Sequence, residues 1–272
     1  TFFAPVPDHQ RAELSYPADI LPPKAALRLL RMEPVKDLRR MTLSFALPDL
    51  RPLAGSKPAE LIAFVLGHEG AGSLLSALKA EGLATGLSAG AEADTPDYGS
   101  FELTVNLTPQ GLVQYERVLS MVFAGIDLLQ RSGVPPHVFT ERRTMSMLEE
   151  RFRDKGEGAS LALALANQVM DYPLEIAERV PYLWLREDPE AVRQALSYLR
   201  RDNLLVTLVA KGVPVDKTER WFGTRYSYVE DSGPAWAALV KPAALAALSL
   251  PRPNVFIPAS TRVRPVEPAR RI

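Results

Sequence analysis

"FELTVNLTPQGLVQYERVLSMVFAGIDLLQRSG", residues 101–133, decides the fold class. Its first seven residues alternate. Phe101, Leu103, Val105 and Leu107 share one side, which is the period of a strand with one buried face. At Thr108-Pro109 the period changes. Val118, Met121, Val122, Ile126 and Leu129 recur at helical spacing, and Gly133 with Pro135-Pro136 closes a single predicted helix over about 109–132. A half-buried strand therefore runs straight into a long helix with one apolar stripe.

The same grammar extends upstream. "LATGLSAGAE" (83–92) is weakly alternating, and "ADTPDYG" (93–99) is turn chemistry, so 83–107 predicts a hairpin. "SKPAELIAFVLG" (56–67) predicts a helix with Ser56 as cap, Pro58 in the first turn and Gly67 as its end. "GSLLSALKAEG" (72–82) repeats the pattern, with Ser73 as cap and Gly82 as stop. "AALRLLRM" (25–32) and "MTLSFAL" (41–47) are strand-like, with Pro34 and Asp37 between them, and predict a second hairpin.

Downstream, a helix at about 137–153 turns Val138, Met145, Leu148 and Phe152 inward. "ASLALALANQVM" (159–170) is nearly all apolar and predicts a buried helix. "DPEAVRQALSYL" (188–199) is a helix capped by Asp188. "NLLVTLVAKG" (203–212) and "RYSYVED" (225–231) read as strands. Strands do not alternate singly with helices. The expected class is α+β, a mainly antiparallel sheet covered on one face by helices. Residues 24–248 form that domain, between an extended Pro-rich segment (1–23) and a Pro/Arg-rich linker (249–272).

The chain has 272 residues, 47% of them hydrophobic, enough for one large domain with a real core. Lys plus Arg and Asp plus Glu both number 32, so there is no field to draw nucleic acid or an anionic membrane. No apolar run approaches the ~18 residues a membrane span needs. Cysteine is absent, which excludes disulfides, thiolate metal sites and a Cys nucleophile, but does not separate bacterial cytoplasm from periplasm. The start at Thr1, without methionine, reads as a piece of something longer.

The residue types that carry chemistry are sparse. His9, His68 and His137 are the only histidines, and none has a second one at ligand spacing. Neither HExxH nor HxxEH occurs, nor a G-x-S-x-G elbow, nor a phosphate loop. "GHEGAGSLL" (67–75) gathers His68, Glu69, Gly70, Gly72 and Ser73, but its plain reading is a polar loop joining two helices. The aromatics of "RWFGTRYSY" (220–228), clustered with Arg220 and Arg225, could form a recognition surface, but the expected reading is packing of Trp221 and Tyr226.

The ordered set "LGHEGAGSLLSALKAEGLATGLSAG", "LTPQGL", "FRDK", "DYPLE", "LRRDNLLVTLVAKG", "TERWFGTRY" and "PRPNVFIPAS" resembles the second domain of the insulinase/pitrilysin family of zinc metallopeptidases. The resemblance covers nearly the whole chain. It implies a parent of four homologous α+β domains in two halves around a chamber, with zinc held by HxxEH in a preceding domain and none in this one. "PAELIAFVLG" (58–67) takes the place of the zinc helix, with apolar residues where ligands would be. The resemblance implies no catalytic residue here and no cofactor beyond the parent's zinc. It implies an exosite for the amino-terminal part of a peptide substrate, made by His68, Glu69, Gly70, Gly72, Leu87, Ser88, Ala89, Gly90 and Ala91. The sequence departs from the family pattern at Ala89 and Ala91, where a glycine and a glutamine are usual, and at Ala71, where proline is. The expected partners are peptide substrates and the other domains of the same polypeptide. The alternative is a stand-alone inactive subunit of a two-chain relative, for peptide binding or assembly.

Overall fold

The computed structural model describes residues 5, 7, 15–16, 20–92, 95, 97–154, 156–233, 236–237, 239, 245, 248–258 and 260. Most of the 1–23 segment and residues 261–272 of the predicted linker lie outside them. Seven strands form one sheet: β1 (Leu27–Met32), β2 (Arg40–Pro48), β3 (Ala84–Glu92), β4 (Tyr98–Leu107), β5 (Leu204–Val209), β6 (Lys217–Thr218) and β7 (Arg225–Asp231), in the order β3-β4-β2-β5-β1-β7-β6. Only β1 and β5 run parallel; the other pairs are antiparallel. The inward side chains of β2, β4 and β5 alternate as expected, with Met41, Leu43, Phe45, Phe101, Leu103, Val105, Val206 and Leu208 buried. The opposite face is polar, including a Thr42–Thr104 hydroxyl contact at 3.1 Å and Ser44 donating to Glu102.

Two helices connect β2 to β3: α1 (Pro58–Leu66) and α2 (Leu74–Ala80). Ser73 caps α2, its Oγ accepting from the Ser76 N–H at 3.1 Å. Gly82, at φ +69, ends it: Gly82 N–H donates to Lys79 and Leu83 N–H to Leu78. After β4 come α3 (Pro109–Val113), α4 (Tyr115–Ser132), α5 (Pro136–Phe152), α6 (Gly158–Asp171), α7 (Leu174–Ala177) and α8 (Pro189–Ser197). Asp188 caps α8 through the Ala191 N–H.

Five expectations are corrected. The 25–47 hairpin does not form. β1 and β2 are antiparallel to each other, but β5 lies between them and pairs with both. A continuous apolar strand such as β5 can be hydrogen-bonded on both sides and buried, and it takes the central place. Ser56 is not the cap of α1; Lys57 holds that position at φ +46, and no side chain caps the helix. The 109–132 helix is broken at Gln114, whose ψ of 33° leaves the helical region. On α5, Val138, Phe139 and Ser146 are buried, but Met145 and Phe152 are exposed, because only the part of the helix beside Trp184 is covered. Trp221 and Phe222 do not pack; they stand 78% and 91% exposed at the β6–β7 turn, while Tyr226 is half-buried.

The sixth difference is the largest. The apolar helix α6 buries no residue, and Leu163 and Met170 are 65% and 83% exposed. Its packing among the described residues is mainly to the short α7. Beside it, Arg51 joins the end of β2 to the end of α6, donating to Asp49 (2.9 Å) and Asp171 (3.0 Å). Burial tends to raise the Asp49 pKa, but the hydrogen bonds from Arg51 outweigh it and hold the carboxyl below its usual range. A depressed folded pKa adds stability that is full above the unfolded value and is lost as pH falls through the folded one. Asp49→Asn is therefore expected to lower stability by about 1 kcal/mol at pH 6. The gap in melting temperature from the wild type should close below about pH 4. A gap independent of pH would show that the Asp49–Arg51 pair is not what is lost.

Candidate functional site: a sheet edge and the loop beside it

Among the described residues, β3 is the last strand of the sheet and pairs only with β4. One row of its backbone N–H and C=O groups is thus left without a strand partner. Leu87 is buried on the helix side, and Ala89 and Ala91 lean on the core from that side. Ser88 is exposed, and a Cβ built at Gly90 would meet nothing within 4 Å.

The loop 67–73 starts where α1 stops. Gly67 N–H donates to Ala63 at 2.8 Å. A Cβ on Gly67 would stand 2.9 Å from the Ala63 oxygen of α1 itself, so glycine suits the end of the helix, and 3.4 Å from the Ala89 nitrogen, which puts that end beside the middle of β3. The His68 imidazole folds over Gly70, where a Cβ would come within 2.5 Å of Nε2. Its ring centroid lies 6.3 Å from that of Phe64. Glu69 is exposed and has no hydrogen-bond or ion-pair partner among the described residues.

Of the residues singled out from sequence, His68, Glu69 and Gly70 lie in this loop, and Leu87 to Ala91 lie on the strand beside it. Gly72 is drawn elsewhere. Its φ is +79, its carbonyl accepts from the Ser249 N–H at 2.9 Å, and a Cβ there would overlap Ser249 Oγ. Its glycine is thus explained by packing of the tail. Sequence reasoning placed Gly67 as the end of α1, as it is, and missed Phe64. Phe64 could have been found, because it stands four residues before His68, in the last turn of the helix that leads into the loop.

Zinc does not fit the described residues. α1 buries Leu61, Ile62, Ala63, Val65 and Leu66, none of which can donate to a metal. No three His, Asp or Glu side chains are gathered anywhere among the described residues.

This is an α+β domain, and three comparisons say which known proteins it resembles. Residues 1–146 match the family described as the peptidase M16 inactive domain, and residues 151–271 match the middle or third domain of peptidase M16. The chain belongs to the peptidase M16 family, the insulinase/pitrilysin group of zinc peptidases, and is a non-catalytic part of it. It is 29% identical to the A-factor-processing enzyme of Saccharomyces cerevisiae over 97% of its own length and 26% of that protein's. It is 30% identical to the human insulin-degrading enzyme, over 88% of this chain and 24% of the relative. The crystal structure of pitrilysin superposes with a TM-score of 0.81 at 24% identity, covering 86% of this chain and 25% of that one. The chain thus spans about a quarter of the length of these relatives.

Proposed function

We propose that this chain is the substrate-anchoring, non-catalytic domain of a zinc metalloendopeptidase whose metal sits in a preceding domain. It helps to wall the substrate chamber and holds the amino-terminal part of a peptide. The observation that carries this reading is the unpaired outer edge of β3 with the glycine loop packed against its middle. An extended peptide can add to such an edge through backbone hydrogen bonds, with little demand on side chains. The small residues Ser88, Ala89 and Gly90 let its backbone approach. Glu69 meets the α-ammonium, and His68, held by Phe64 and Gly70, orients that end. The segment after 249 then leads toward the next half of the enzyme.

The exposed apolar face of α6 supports a domain that works within a longer polypeptide. A helix with no buried residue needs a further surface to cover its leucines and Met170.

Adjacent residues of an antiparallel edge strand point their N–H groups to opposite sides. Of Ser88→Pro and Ala89→Pro, one therefore removes an outward donor and keeps the β3–β4 ladder. That variant is expected to stay folded and to bind a ten-residue peptide with a free amino terminus about tenfold more weakly. Acetylating the peptide should weaken binding to the wild type and matter less in Glu69→Gln. If the folded proline variant binds like the wild type, the strand-edge reading is wrong.

A further inference from the structure

Lys57 precedes α1, Glu60 and Phe64 lie on it, and His68 follows it. Phe64 meets the His68 imidazole, and the Arg142 guanidinium lies 5.5 Å from the Phe64 ring centroid. The same guanidinium lies 5.7 Å from the Trp184 ring, and Lys57 Nζ lies 5.4 Å from it. Trp184 itself is fixed, with Nε1 donating to the buried Ser146 Oγ at 2.9 Å and the Phe139 ring edge-on at 5.6 Å. A stack of rings and cations thus runs from the loop to Trp184.

Only one of the two cations is neutralised. Lys57 Nζ pairs with Glu60 at 3.2 Å and donates to the Pro181 carbonyl at 3.0 Å. Arg142 has no carboxylate within ion-pair distance among the described residues. Its Nε is buried without a hydrogen-bond partner, while the residue as a whole remains partly exposed.

We propose that Arg142 binds an acidic side chain of the peptide, so that the preferred substrates are peptides with Asp or Glu near the amino terminus. This rests on the strand-edge reading above. A guanidinium held between Phe64 and Trp184 is already oriented, and its planar fork matches a carboxylate. A partly desolvated cation without a counter-ion gains more from an incoming carboxylate than a fully solvated one does. The steps of 6.3 Å from His68 to Phe64 and 5.5 Å from Phe64 to Arg142 bring the guanidinium within the span of roughly four residues of an extended chain that starts at the loop, at ~3.3 Å per residue.

The test uses the 272-residue chain and fluorescent ten-residue peptides with a free amino terminus. Each carries one Glu, placed in turn at positions 2 to 6, against a Gln control. At low salt one Glu position is expected to bind about fivefold tighter than its control. Arg142→Gln should remove that preference without weakening the control, and Arg142→Lys should keep part of it. If Glu and Gln peptides bind the wild type equally, the strand edge stands and Arg142 is only a packing residue. A preference that persists in Arg142→Gln also overturns the assignment. If no peptide binds the wild type, the strand-edge reading falls, and this one with it. Should Arg142→Gln not fold, as judged by circular dichroism, Arg142→Lys against the wild type carries the comparison: a reduced preference with unchanged control binding supports the contact, and an unchanged preference overturns it.

Discussion

Gly111→Ala is expected to lower the melting temperature by about 10 °C, read by calorimetry or circular dichroism. A Cβ at this position would stand 1.8 Å from the Leu83 oxygen and 2.8 Å from the Leu83 carbon. Both are backbone atoms and cannot swing away. The same carbonyl accepts the Thr108 N–H at 3.1 Å, and Thr108 Oγ accepts the Gly111 N–H at 2.9 Å. Relief therefore means lifting α3 from the residue that leads into β3, with loss of those bonds and of packing, about 3 kcal/mol together. Gly90→Ala is the control: its Cβ enters open space, and the change should stay within about 0.5 kcal/mol. If Gly111→Ala melts within 2 °C of the wild type, α3 is not seated as described.

Asn203→Leu should cost nearly as much, about 2–4 kcal/mol. Asn203 is 5% exposed, and its Nδ2 donates to the Ala46 carbonyl at 2.9 Å and the Tyr198 carbonyl at 2.8 Å. One side chain thus ties β2, the end of α8 and the start of β5. Leucine fills the space but takes the buried donor from the Ala46 carbonyl, while the Tyr198 carbonyl keeps the Arg200 N–H at 2.8 Å. Asn203→Asp should be worse above pH 5, because an ionised carboxylate would face two acceptors with no hydrogen to give. Urea unfolding at pH 7 and pH 4 distinguishes the two. Equal stability of the Asp and Leu variants at both values would mean that the carbonyls find other donors.

Element identity was largely legible in the chain, and neighbourhood was not. Alternation in 101–107 and the helical stripe after 115 are local signals, and they hold. That β5 enters between β1 and β2 depends on contacts across some 160 residues, which no local period encodes. The apolar run of α6 looked like a core helix because hydrophobicity reports what a segment tends to bury, not whether a cover is at hand. In the candidate site, His68, Glu69 and the small residues of β3 stood out by type. The residues that hold them were less visible. Arg142 enters through a ring stack formed by three separate segments.

The central place of β5 also governs the order in which the chain can be made and folded. β2, β3 and β4 come from one stretch and can pair as soon as residue 107 is out. β1, synthesised before them all, must wait roughly 175 residues for β5. At a synthesis rate of about 5–20 residues per second, the delay is on the order of ten to thirty seconds. Through that interval Leu27, Leu29 and the second edge of β2 stay open to unwanted strand pairing. The match to residues 1–146 ends before β5 is reached, so a fragment cut there would keep that intermediate's unpaired edges permanently. Such a fragment is a poor choice for expression, however complete its family match looks.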